Sequence, residues 1–288
     1  MGIFSDVLLT VDYDRTLTAR DSTVPQRNIE AIRFFMENGG AFTVNTGRSL
    51  PMTRAFRDKV PVNAPLLLYN GSAAYHLGEE RFAFCHTIDL PMDQTIREVM
   101  DAFPDLAVEI QGVDAHYLFT PNQAWADFSE GNQCDWKIVP PGTDVGPFIK
   151  MTLYGEIREP NVAHMFEGTP QEFLRLDQAE EWLNNRYGDK ICVLRVAHRI
   201  IDVHAPGVAK GKSARQLQHQ LGRKILVCVG DERNDLTMLD EADYSYCPSD
   251  AVVADRYENV CPCGEGAVAD VIYKKIPKIL GIALDNRV

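Results

Sequence analysis

The sequence predicts an α/β fold: a doubly wound parallel, Rossmann-like core sheet with an inserted α+β cap domain. Three observations predict it. Apolar runs at 7–11, 41–45, 65–69 and 224–229 are almost unbroken, as in strands buried on both faces of a parallel sheet. Helix-spaced stretches alternate with those runs at both ends of the chain. Between them, 81–205 changes texture and is dominated by hairpin-like strand pairs. The simplest topology is a discontinuous core, 1–80 plus 206–288, carrying an insert at 81–205.

The elements follow in order. Val7, Leu8, Leu9 and Val11 make the first strand, which delivers Asp12 and Asp14 to its carboxyl end. Ser22 or Thr23 caps a helix with Pro25 in its first turn and Ile29, Ile32, Phe35 and Met36 on its apolar face. Gly39 and Gly40 end it. The second strand, 41–45, runs into Thr46-Gly47-Arg48-Ser49 and a helix-like stretch to about Lys59. The third, 65–69, ends in Asn70-Gly71. In the insert, helices are expected at 92–103 and 170–187, and strands at 106–111, 115–120, 149–154, 191–196 and 199–204, with turns at 112–114 and at Ala197-His198. The Pro- and Gly-containing stretch 131–147 reads as loop. The parallel pattern then resumes with a helix at 208–221, the strand 224–229, a helix opening at Leu236, a short strand at 244–247 and a closing helix at 267–280.

Bulk composition narrows the function classes. At 288 residues and 45% hydrophobic the chain can bury a sizeable core. A formal net charge of −12 without clustered Lys and Arg excludes a backbone-reading nucleic-acid binder. No basic region followed by an apolar stretch and a small-residue cleavage site opens the chain, and no run approaches the ~20 apolar residues that span a bilayer. A soluble, cytoplasmic protein that uses neither nucleic acid nor membrane is expected. Seven scattered cysteines do not form a disulfide framework. Cys261 and Cys263 form a CxC with no second Cys or His pair at zinc-site spacing.

Two nucleotide motifs are absent. No GxGxxG follows the first strand, which excludes a Rossmann dehydrogenase. The stretch from Gly207 to Ser213 resembles a P-loop, but three residues rather than four separate its first glycine from the Gly-Lys pair.

Chemistry-bearing residues gather at strand ends and helix starts, where open α/β sheets build their sites. They are Asp12 and Asp14, Thr46, Lys210, and Asp231 with Asn234 and Asp235. Each alone reads as a turn former, a helix cap or a solvated charge. Together they offer a nucleophile, a second carboxyl for proton transfer, a hydrogen-bond donor to phosphate, a cation and an acidic pair able to hold a metal.

Four stretches, DYDRT, NTGRS, GVAKGKS and GDERND, resemble the motifs of the haloacid dehalogenase (HAD) superfamily of phosphatases. Roughly 160 residues between the second and third resemble the Cof-type subclass, which carries a large α/β cap there. The resemblance implies a Mg²⁺-dependent phosphomonoester hydrolase acting on a small phosphorylated metabolite, a sugar phosphate above all. Asp12 would be the nucleophile that becomes an aspartyl phosphate, Asp14 the acid and base, and Lys210 the neutralising cation. Thr46, Gly47 and Asn234 would serve phosphate binding, with Asn234 orienting Lys210 or the acidic pair. Asp12, Asp14 (by its carbonyl), Asp231 and Asp235 would attend the metal, Asp235 as a ligand or just behind the ligands. Two positions depart from the family pattern, Arg15 and Glu232, where glycine is usual. Either is a surface substitution, or Arg15 binds a second anionic group of the substrate. A phosphosugar mutase of the same superfamily and a catalytically silent binding or regulatory protein are the alternatives. Oligomeric state is not legible.

Overall fold

The computed structural model describes residues 2–121, 123–155, 170–197 and 199–284. The first half runs β1 (Val7–Val11), α1 (Gln26–Glu37), β2 (Ala41–Val44), β3 (Leu66–Leu68), β4 (Ala73–His76), β5 (Arg81–Cys85), α2 (Met92–Ala102), β6 (Ala107–Gln111), β7 (His116–Leu118), α3 (Gln123–Gly131) and β8 (Trp136–Ile138). The second runs β9 (Lys150–Tyr154), α4 (Pro170–Tyr187), β10 (Cys192–Ala197), β11 (Ile200–His204), α5 (Lys210–Gln220), β12 (Ile225–Val229), α6 (Leu236–Glu241), β13 (Tyr244–Pro248), β14 (Glu258–Val260), α7 (Ala267–Asp270) and α8 (Ile276–Leu280). The chain divides into two compact units. Met1–Gly47, Lys59–Phe84 and Ala209–Val288 form the first; Arg48–Asp58 and Cys85–Val208 form the second.

The first unit is built on a sheet ordered β14-β13-β12-β1-β2, parallel throughout. Every residue of β1 is buried, which is why its sequence is apolar without alternation. Val11 pairs with both Val229 and Val44, so three strands end at one level. The backbone continues that level: Asp12 N–H donates to the Val229 carbonyl at 2.9 Å and Asn45 N–H to the Val11 carbonyl at 2.8 Å.

In the second unit the order is β10-β11-β9-β6-β7-β8. It is antiparallel except for the pairing of β7 with β8. Side chains alternate across it. On one face Val108, Ile110, Met151, Leu153, Ile201 and Val203 pack with Ile96, Val99 and Phe103 of α2 and with Leu176 and Leu183 of α4. Burying each such side chain stabilises the fold by about 1.5–3 kcal/mol. The opposite face, by register, carries Glu109, Gln111, His116, Lys150, Thr152, Asp202 and His204. All of these are buried as well.

Five expectations are corrected. The stretch after Ser49 is not an α-helix but a 3₁₀ turn at Pro51–Ala55. There Thr53 turns its hydroxyl onto the Leu50 carbonyl at 2.7 Å, competing for an acceptor that a longer helix would use. Neither Ser22 nor Thr23 caps α1. The Thr23 hydroxyl bonds Asp21, and Pro25 stands at the cap position with no side-chain bond. The third core strand does not join the sheet of β2, beside which it makes an isolated bridge of Asn45 with Leu67, and instead forms a small sheet with β4 and β5. The stretch 131–147 contains β8, whose three half-buried or exposed residues give no alternation to read. The predicted turn residue His198 lies outside the described residues. The closing helix is interrupted by a wide turn at Val271–Lys275, just ahead of Pro277, which has no N–H to give the helical ladder.

Candidate active site

All the sequence-selected residues fall in the first unit, at the level where β2, β1 and β12 end. Asp12 follows β1 directly. The chain then makes a single wide turn, Tyr13–Leu17, with Asp14 and Arg15 out of helical conformation. Arg15 sits at φ 60°, ψ 8°, in the left-handed region that favours glycine. Glu232, at φ −119°, ψ 171°, is in extended backbone that any residue adopts. The two departures from the family pattern therefore differ physically: Arg15 is strained and Glu232 is not.

Lys210 is the first residue of α5 and is fully buried. Its Nζ donates to Asp12 Oδ1 and to Asp235 Oδ1, both at 2.6 Å. The other Asp235 oxygen accepts the backbone N–H groups of Asp231 and Glu232 at 3.0 and 3.1 Å. Asp235 thus holds the lysine with one oxygen and the loop after β12 with the other. Asp12, Asp231 and Asp235 each offer a carboxylate oxygen within 4.8 Å of the others.

These charges perturb one another. Burial lifts the Asp12 carboxyl to about 7 against the pull of Lys210, helped by the negative charges of Asp235 and Asp14. Burial and the charges of Asp12 and Asp235 push Asp231 well above the ordinary carboxylate range, against the hydrogen bond from Thr16. For Lys210, burial favours the neutral amine, but Asp12 and Asp235 outweigh it and hold the group above its ordinary value. Clustered carboxylates whose pKa values rise want a cation beyond the one lysine. The all-oxygen donor set suits a hard divalent ion such as Mg²⁺, and the acidic cluster fits one.

Thr46, also buried, is fixed by its backbone: its N–H donates to the Leu67 carbonyl at 2.9 Å, and its carbonyl accepts from Asn70 at 3.1 Å. A side chain at Gly47 would come within 2.7 Å of Asn70 Oδ1, so the Asn70 side chain would have to shift to admit it. Asn234 Nδ2 reaches Asn70 Oδ1 at 3.4 Å. Its partner is thus Asn70 rather than Lys210. Gly211, part of the P-loop-like stretch, serves helix packing: a Cβ there would lie 2.0 Å from the Thr237 carbonyl.

Sequence reasoning gave no role to three neighbours. Thr16 donates its hydroxyl to Asp231 Oδ1 at 3.0 Å. Asn45 ties the start of α5 to the end of β2 by donating to the Lys210 carbonyl at 3.0 Å. Asn70, in left-handed backbone at φ 55°, links Thr46 to Asn234. Only the Asn70-Gly71 pair after an apolar run carried a sequence signal, that of a tight turn.

A family model for haloacid dehalogenase-like hydrolases matches residues 9–254. The chain belongs to that family. Among its relatives is the 5-amino-6-(5-phospho-D-ribitylamino)uracil phosphatase YitU of Bacillus subtilis, 20% identical over 82% of this chain and 83% of that protein. Solved structures of haloacid dehalogenase-like hydrolases share the fold. One from Bacteroides thetaiotaomicron has a TM-score of 0.77 at 18% identity, covering 92% of this chain and 97% of that one. The HAD subclass IIB sugar phosphatase BT4131 has a TM-score of 0.69 at 18% identity, covering 95% and 98%. The matched span runs from before Asp12 to beyond Asp235.

Proposed function

We propose that the protein is a Mg²⁺-dependent phosphatase that transfers the phosphoryl group of a small metabolite to Asp12 and then to water. The observation that carries this reading is the buried Lys210 bridging Asp12 and Asp235, with Asp231 beside them. The first unit is assigned catalysis and the second the choice of substrate.

In the first half-reaction a carboxylate oxygen of Asp12 attacks phosphorus as the bond to the ester oxygen breaks. Asp14, protonated, gives its proton to the departing alkoxide. In the second, Asp14 takes a proton from water as the water oxygen attacks phosphorus; the Asp12–phosphorus bond breaks and orthophosphate leaves. Lys210 offsets the negative charge gathering on Asp12 and the phosphoryl oxygens, and Thr46 with the Gly47 amide holds those oxygens. Asp12 and Asp231 with the Asp14 carbonyl would hold Mg²⁺, Asp235 acting behind them on Lys210 and the loop. The ion, when bound, supplies positive charge that keeps Asp12 and Asp231 ionised and stabilises the transferring group.

A sugar phosphate is the proposed substrate class, in line with one neighbour named a sugar phosphatase and a relative named for a phosphoribityl compound. Orthophosphate release in Mg²⁺ from sugar phosphates, phosphoglycerate derivatives and nucleotides is the test. Turnover is expected with wild type, strongest on the sugar phosphates. Asp12→Asn is expected to lower kcat by at least ~10³-fold while the protein stays folded. An Asp12→Asn variant that retains turnover removes the nucleophile assignment.

A further inference from the structure

Asn28 stands in the first turn of α1 on that helix's apolar face, one turn before Ile32 and two before Phe35. The spacing asks for an aliphatic side chain, yet the position holds a fully buried amide. Both ends of it are used. Nδ2 donates to the Leu17 carbonyl at 3.0 Å, and Oδ1 accepts the Ala269 N–H at 2.9 Å. The partners fix which end is which, because a carbonyl only accepts and a backbone N–H only donates. One side chain therefore ties α1 both to the end of the turn Tyr13–Leu17 and to α7, all within the first unit.

That turn carries Asp14. Asp14 and Arg15 leave helical conformation inside it, and bonds near its ends close it. The Leu17 N–H donates to the Asp12 carbonyl at 3.3 Å and the Thr18 N–H to the Tyr13 carbonyl at 3.0 Å. Leu17 is thus bonded through its N–H to Asp12 and through its carbonyl to Asn28. Arg27, one residue before Asn28, already joins α1 to the region of α7, bonding the Glu265 carbonyl at 3.2 Å and Asp270 at 2.9 Å. What Asn28 adds to that tie is the hold on the turn.

We propose that Asn28 is a positioning residue for Asp14, acting through the carbonyl of Leu17. The inference rests on the phosphatase reading, in which Asp14 hands its proton to the departing alkoxide. A proton donor works only within hydrogen-bond reach of the oxygen that leaves, and a displacement of about 1 Å can cost about 10²-fold in rate. The turn is pinned to the sheet where the Asp12 N–H meets Val229 and to α1 where Asn28 meets Leu17. Fixed on both sides of Asp14, it presents the acid without reorganising.

The test compares wild type with Asn28→Ala on two esters in Mg²⁺, reading kcat/KM, which reports the step in which the ester bond breaks. A sugar phosphate releases an alkoxide that needs the proton, whereas p-nitrophenyl phosphate releases a phenolate that leaves without it. Asn28→Ala should lower kcat/KM about thirtyfold on the sugar phosphate and by less than about threefold on the aryl ester. Amide hydrogen exchange over 13–18 should become about tenfold faster. Asn28→Asp keeps the acceptor for Ala269 and puts an oxygen where the amide donated; it should shift the ratio of the two esters in the same direction and serves if Asn28→Ala does not fold. Arg27→Ala removes the bonds to Glu265 and Asp270 and leaves Asn28 in place, so that ratio should stay at its wild-type value. An unchanged ratio in the Asn28 variants, unchanged exchange over 13–18, or an Arg27→Ala that shifts the ratio as far overturns the proposal. A wild type that hydrolyses neither ester overturns the phosphatase reading and with it the role of Asp14, while exchange over 13–18 still reports whether Asn28 holds the turn.

Discussion

Both units bury charge, and they do so with opposite chemistry. The first gathers three carboxylates near Lys210, and there Asp231 is pushed above the ordinary carboxylate range and Asp12 is lifted to about 7. In the second, Lys150 Nζ lies 2.8 Å from Asp202, which also accepts from Thr152 at 2.8 Å. His204 beside them is pushed down to about 3, by burial foremost and then by Lys150, against the pull of Asp202. An excess of one sign marks a place that awaits something more, whereas a balanced set is architecture.

The largest test of this contrast is Lys210→Met. Removing the cation that bridges Asp12 and Asp235 should cost about 3–5 kcal/mol in chemical denaturation, because two buried carboxylates lose their ion pair. Asp235→Asn in the same chain should recover part of that stability, and neither variant should release phosphate at a measurable rate. A Lys210→Met protein as stable as wild type would mean that the first unit's charges are not coupled.

The pH dependence should differ in sign between the units. The raised Asp12 pKa means that the folded state holds a proton the unfolded chain has lost. Stability from this group is full below the usual carboxylate value and fades as pH rises toward about 7. The depressed His204 pKa works the other way: its contribution is complete above about 6.5 and fades as pH falls toward 3. Each slope is at most about 1.4 kcal/mol per pH unit. Amide exchange followed in each unit without divalent ions reads them separately, and His204→Gln should flatten only the acid-side slope. Slopes of the same sign would break the comparison.

The smallest expected effect is at Arg15. Replacing it with glycine relieves a left-handed backbone at φ 60°, a gain of about 1 kcal/mol before glycine's greater unfolded-state freedom offsets part of it. Thermal unfolding should shift upward by a few degrees at most. If Arg15 meets a second anionic group, KM should rise only for substrates that carry one.

The parallel sheet and the edge that carries the candidate site were legible because burial on both faces leaves an apolar run with nowhere to hide its polar end. That is how Val7–Val11 pointed to Asp12, and Ile225–Val229 to Asp231. Short elements were not legible: β8 has three residues and β4 four, too few for a period to emerge. Nor could sequence reveal that Thr16 serves Asp231 or that Ser49 meets His116, since these partners lie 215 and 67 residues apart. Thr53 showed a local hydroxyl overriding a helical pattern.

The level ends of β1, β2 and β12 also impose an order on biosynthesis. Strand β1 is flanked by β2 and β12, yet one of these neighbours, β12, leaves the ribosome roughly 220 residues after it. At ~5–20 residues per second that interval is on the order of ten to forty seconds. During it the apolar strand and Asp12 wait without Lys210, while the entire second unit has already been made. A nascent chain of this protein therefore completes the inserted unit before it can close the sheet that carries the site.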